Sequence, residues 1–165
     1  LPQQRHIFST IVENRPGVLF RITNTIRRRG FNIESLTVGP IDNGKLARMT
    51  IVIYADENDA EFIARNLHKL VEVFKVKRLD PGKSILREMA LIKICAEDSR
   101  VRSDIVHYSR IFRGRIVDVS QDSMIVEITG TPEKINAFIN LVKNHGIKEV
   151  ARTGLVALQR GGETI

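Results

Sequence analysis

The chain has 165 residues, 42% of them hydrophobic and 27% charged, with a net charge of +7. That is room for one domain or two small ones with a real core, which excludes wholesale disorder. No run of about eighteen apolar residues offers a membrane span, and Cys95, the single cysteine, allows neither an internal disulfide nor a cysteine-based zinc site.

The charge distribution argues against a nucleic-acid partner. Residues 1–79 carry 13 Lys and Arg against 8 acids, and residues 80–165 carry 13 against 11. The one dense run, Arg27-Arg28-Arg29, falls at the end of a predicted helix, where cations favour the helix dipole. With no Trp and two Tyr, the aromatic platforms of single-strand binders are scarce. The basic face suits solvent or an acidic protein partner. The first residues lack the charged-then-apolar layout of a secretory signal, and a reducing, cytoplasmic setting is expected.

Residues 7–12 read as a buried strand, short and β-branched at several positions. Glu13-Asn14-Arg15-Pro16-Gly17-Val18-Leu19 leads into a helix whose predicted inner stripe is Val18, Leu19, Ile22 and Ile26. Pro16 suits a first helical turn, where its missing N–H is no loss. Gly17, without Cβ, lets a ligand approach the backbone. The open N–H groups of a helix start attract anions, so this turn is a place to hold a carboxylate. The same punctuation also serves an ordinary helix start.

Gly30 is placed as a C-cap, residues 31–38 as a second strand, Asp42-Asn43-Gly44 as a tight turn and residues 47–54 as a third strand. Asn58 is the expected cap of a second helix, with Glu61 completing a capping box. Ala60, Ile63, Ala64, Leu67 and Leu70 form its face, and residues 71–78 make a fourth strand. Asp80-Pro81-Gly82-Lys83-Ser84 is a linker by composition. The order βαββαβ then repeats. A strand over 86–96 places Cys95 in the core, and a helix with Val101, Ile105, Tyr108 and Phe112 inward ends at Gly114. Two strands follow, over 116–119 and 123–129. Thr131-Pro132 opens a helix burying Ile135, Phe138, Ile139 and Val142, and a last strand covers 147–153. The expected organisation is residues 1–79, a linker at 80–84, and residues 85–165 as a second domain with a short tail. Each domain is expected as a split-βαβ antiparallel sheet of the ferredoxin-like, α+β class, with both helices on one face. An open sheet face and unpaired edges predict a dimer.

Catalytic groupings are sparse. His6, His68, His107 and His145 have no metal-ligand spacing, and no nucleophile or phosphate-binding motif is present. Gly17-Val18-Leu19-Phe20-Arg21 resembles the Gly-Val-x-Phe-Arg loop of acylphosphatases, which share the βαββαβ fold, and an acylphosphatase-like hydrolase is the alternative reading. Pro16 removes a loop N–H there, and no Asn stands at the family's catalytic position.

The stretch 13–19 also resembles the start of an ACT domain, an amino-acid-sensing βαββαβ module. Asn32-Ile33-Glu34-Ser35-Leu36-Thr37-Val38, Arg48-Met49-Thr50-Ile51, His68-Lys69-Leu70-Val71, Arg87-Glu88-Met89-Ala90-Leu91-Ile92-Lys93, Ile111-Phe112-Arg113-Gly114-Arg115-Ile116 and Val150-Ala151-Arg152-Thr153-Gly154 resemble the small regulatory subunit of acetolactate synthase. Arg15-Pro16 departs from the acidic or small residues common in bacterial relatives. The resemblance implies a non-catalytic subunit that activates a large catalytic subunit, pairs with itself through its ACT domains, and confers inhibition by valine, with leucine or isoleucine as alternatives. Thiamine diphosphate, magnesium and FAD would belong to the large subunit, and no cofactor to this chain. Carried over, the effector site is Asn14, Gly17, Val18 and Leu19 of one chain with Asn32 and Ile33 of its mate. Turn amides suit a carboxylate, the Asn32 side-chain oxygen or a strand carbonyl suits an ammonium, and a small dry wall suits an aliphatic tail.

Overall fold

The computed structural model describes residues 3–165, which divide into two compact units. One is the chain up to Leu86 together with Leu155–Ile165, and the other is Arg87–Gly154. Each is built on a sheet with the same strand arrangement, so the predicted repeat of βαββαβ is present.

The first unit runs β1 (Gln4–Glu13), α1 (Val18–Arg27), β2 (Ile33–Ile41), β3 (Leu46–Ala55), α2 (Glu57–His68) and β4 (Val73–Leu79), with sheet order β2-β3-β1-β4. All its pairings are antiparallel. Strand alternation sends Phe8, Val12, Met49, Ile51 and Ile53 to one face. There they meet Val18, Ile22 and Ile26 of α1 and Ala60, Ile63 and Leu67 of α2. Each fully buried aliphatic side chain contributes about 1.5–3 kcal/mol relative to exposure.

Two local expectations are corrected. α1 begins at Val18 with Gly17 as its N-cap at φ 88°, so Pro16 lies in the turn ahead of the helix and not in its first turn. α2 is capped by Asp56, whose carboxylate accepts from the Asp59 N–H at 2.9 Å, while Asn58 sits inside the helix. A carboxylate in extended backbone reaches the helix amides and complements the positive end, so the upstream residue takes the cap.

The expected open sheet face of this unit is covered. After the second unit the chain returns as β9 (Val156–Gln159), which pairs with β5, and the Arg160 N–H donates to the Lys83 carbonyl at 2.8 Å. Leu155 and Ala157 are 2% and 1% exposed, packed on Ile7, Val52, Leu79 and Leu86. Residues 155–165 therefore belong with the first unit, although they follow the second in sequence. Arg48 on the same face donates to the Ala157 carbonyl at 3.3 Å, and burial pushes its guanidinium below its ordinary pKa. Lys77 and Gln159 hold the Glu163 carboxyl below the usual carboxylate range.

The second unit takes β5 (Ser84–Cys95) from Arg87 onward, then α3 (Ser99–Ile111), β6 (Arg115–Val119), β7 (Ser123–Gly130), α4 (Pro132–Val142) and β8 (Ile147–Arg152), ordered β6-β7-β5-β8. Thr131 caps α4 by accepting from the Lys134 N–H at 3.3 Å, with Pro132 in the first turn as expected. At the end of α3 the left-handed residue is Arg113 at φ 53°, not Gly114. Close packing favours Gly114 instead, since a Cβ there would crowd the Glu127 carbonyl at 3.0 Å and displace the end of the Ile128 side chain. Cys95 is half-buried, not a core thiol: Ala90, Ile92, Ile94 and Ala96 take the inward positions, and alternation turns Cys95 to the other face. Phe138 is fully buried and meets Phe112 edge to face at 5.4 Å. Phe138→Ala is expected to destabilise this unit by about 3–5 kcal/mol, read as a lowered denaturant midpoint.

Candidate functional site

The turn between β1 and α1 is held from several sides. The Glu13 N–H donates to the Glu72 carbonyl at 2.9 Å, and the Asn14 N–H to the Lys45 carbonyl at 3.0 Å. The Asn14 side-chain NH2 donates to the Gly44 carbonyl at 2.8 Å. A carbonyl only accepts, so this bond orients the amide and leaves Oδ1 as the outward acceptor. Beneath the turn lies the Glu72 carboxylate, 5% exposed, with Arg21 at 2.5 Å and Arg15 at 3.5 Å. Arg15 also pairs with Glu13.

This network bears on two expectations. Arg21, which an acylphosphatase-like loop would offer to a phosphate, is committed to Glu72, and nothing supports the hydrolase alternative. The start of α1, by contrast, is open. Gly17 brings no side-chain cap and the Val18 N–H makes only a long bond to the Arg15 carbonyl, at 3.4 Å, so the first turn of the helix retains donors that no helical carbonyl satisfies. A Cβ at Gly17 would meet nothing within 4 Å, so space for a small group exists beside the cap.

The predicted site residues divide. Val18 is 4% exposed in the core, so only its backbone can face a ligand. Leu19, expected inward, is 46% exposed. Asn32 is exposed and Ile33 half-buried. Strand register then separates the two groups within one chain. Glu13 lies opposite Leu46, which lies opposite Ile41 at the end of β2, whereas Ile33 at its start lies opposite Ile53, which lies opposite His6. Asn14 and Gly17 thus sit at one end of the sheet, and Asn32 and Ile33 at the other.

At that other end, a cleft of about 300 Å³ runs between α1 and the start of β2. Phe20, Asn24 and Arg27 line it from the helix, with Phe31, Asn32 and Ile33 opposite. Thr23 also borders it, but its hydroxyl donates back to the Leu19 carbonyl at 2.9 Å. The helix residues of this cleft were missed from sequence. Their signal is a second stripe at positions 20, 23, 24 and 27, the outward face of α1, with Phe20 left 70% exposed. Chemically the cleft offers an apolar floor, amide groups and one guanidinium. Among the described residues no group of three His, Cys, Asp or Glu could hold a metal ion, and no helix is long and apolar enough to cross a membrane.

Comparison with known proteins agrees with these features. The family model "AHAS small subunit-like ACT domain" matches residues 8–75, and that of the small subunit of acetolactate synthase matches residues 87–161. A probable acetolactate synthase small subunit from Methanothermobacter thermautotrophicus is 49% identical over 97% of this chain and 95% of its own length. The acetolactate synthase small subunit of Mycolicibacterium smegmatis is 42% identical over 94% of this chain and 92% of its own. The crystal structure of the Thermotoga maritima small subunit superposes with a TM-score of 0.89 at 42% identity, covering 97% and 99% of the two chains. With two βαββαβ units matched nearly end to end, the chain belongs to the family of acetolactate synthase small subunits.

Proposed function

We propose that the chain is a regulatory subunit without chemistry of its own, which binds the catalytic large subunit in the cytoplasm, raises its activity and makes it sensitive to valine. Thiamine diphosphate, magnesium and FAD are assigned to that large subunit. Valine binds between two copies of this chain, taking its carboxylate to the amides at Gly17–Leu19 of one copy and its ammonium to Asn32 of the other. Leucine and isoleucine differ from valine by one methylene, worth about 1–3 kcal/mol of discrimination.

The observation that carries this reading is the register. One chain keeps its turn and its Asn32 at opposite ends of the sheet. β2 is an edge strand, so antiparallel pairing of β2 with β2 of a second copy sets the start of one strand beside the end of the other. That is the end where the partner's Asn14–Gly17 turn lies. The opposite edge, β4, is less accessible, because Lys75 donates to the Ile165 carbonyl at 2.8 Å and Lys77 pairs with Glu163 at 3.2 Å.

The test is reconstitution. The purified chain is expected to convert no pyruvate, to raise the acetolactate-forming rate of its cognate large subunit, and to release or absorb heat when titrated with valine. No effect on the large subunit would overturn the regulatory reading. An acylphosphatase activity lost in Arg21→Ala would restore the alternative.

A further inference from the structure

A contact between β2 and the C-terminal strap has a regulatory consequence. β2 carries a bulge between Ile33 and Ser35. Without it, residues 33, 35 and 37 would share one face of the sheet. With it, Ile33 packs against the helical core while Ser35 and Thr37 turn to the opposite face. There both side chains seize one residue of the strap. The Leu155 N–H donates to Ser35 Oγ at 2.7 Å, and the Thr37 hydroxyl donates to the Leu155 carbonyl at 2.8 Å.

The strap has no freedom to ignore this grip. Leu155 is 2% exposed and Ala157 1%, and Arg48 Nη2 holds the Ala157 carbonyl. Leu155 is also the first residue after Gly154, at φ 84°, where the chain leaves the second unit. β2, as an edge strand with a bulge, has one neighbour and an interrupted ladder, so it can move farther than the central strands.

We infer that Ser35 and Thr37 are the coupling residues of this subunit: they pass a shift of β2, made when an effector occupies the Asn32–Ile33 end, to Leu155 and so to the chain leaving the second unit. The inference rests on the proposed effector site, since β2 is the strand that site begins. Coupling and binding are then separable. Ser35→Ala with Thr37→Val removes both hydrogen bonds and keeps the side-chain volumes close to native.

Three measurements on full-length protein test it: valine titration by calorimetry, valine inhibition of the reconstituted holoenzyme, and amide exchange at residues 155–157. In the wild type, saturating valine is expected to change exchange at Leu155. In the double variant, valine affinity is expected to stay within about threefold of wild type while the inhibitory concentration rises about tenfold or more, the scale of an ordinary coupling free energy. Exchange at Leu155 should then no longer respond to valine. If the folded double variant binds and is inhibited like wild type, the coupling role is overturned and the effector site stands. Loss of binding and inhibition in parallel, rescued together by Ser35→Thr with Thr37→Ser, means a structural role and also overturns it. If wild-type protein gives no heat with valine, the effector reading fails and takes the coupling with it, a result separable from the others because the wild type itself is silent.

Discussion

Gly17→Asp is expected to abolish valine inhibition of the reconstituted holoenzyme while activation of the large subunit is retained. The backbone tolerates the change, since Asp is among the few residues found at positive φ and the cost is about 1–2 kcal/mol. A Cβ there meets no atom within 4 Å. The new carboxylate stands beside the amides of the first turn, in the space that a ligand carboxylate would take. It also repels a ligand carboxylate by about 1–4 kcal/mol at 4 Å separation, depending on the local dielectric. Gly17→Asn has a similar shape and no charge, and separates the two effects: it fills the space beside the turn but does not repel. Calorimetry on the isolated subunit and inhibition of the holoenzyme should both report the loss. Normal valine binding by folded Gly17→Asp would place the effector elsewhere.

Mixing two inactive variants is expected to restore binding. Asn14→Ala and Asn32→Ala should each eliminate valine binding in a homodimer, because every shared site then loses one partner. In a mixed dimer, one site carries both lesions and the other combines an intact turn with an intact strand. Refolding an equal mixture pairs chains at random, so about a quarter of all sites should recover in a symmetric dimer. The contribution of Asn14 is subtle, since its NH2 group serves the Gly44 carbonyl. Its replacement both removes the outward Oδ1 and frees the turn. Asn14→Asp loses the donor to the Gly44 carbonyl and adds a carboxylate beside the turn, and should bind no better than Asn14→Ala. A site contained in one chain would show no recovery, with heterodimers verified by mass spectrometry.

Much of the fold was legible without coordinates because it depends on neighbours a few residues away. The short apolar, β-branched run at 7–12 and the 3.6-residue spacing of Val18, Ile22 and Ile26 identify a strand and a helix face before any tertiary contact is known. The Asp42-Asn43-Gly44 turn, with all three residues at positive φ, follows from the residue types that tolerate that backbone. Thr131-Pro132 specifies its own helix start. Family membership was equally legible, since many ordered stretches along the whole chain carry it.

What only the tertiary structure decided are choices among locally equivalent options. Asp56 and Asn58 are both able caps, and the distance to the Asp59 amide selects the first. Phe20, Asn24 and Arg27 look like a solvated helix face until Phe31 and Asn32 are set across from them. Leu155 and Ala157 are a short alternating pair that could pack on many sheets. Their place over Ile7 and Val52 depends on chain closure across more than a hundred residues, which no window on the sequence contains. The same holds for Asn14 and Asn32. Eighteen positions apart, they look like neighbours across one turn of fold. Strand register puts them at opposite ends of the sheet, because α1 carries the chain back along the length that β1 has just spanned.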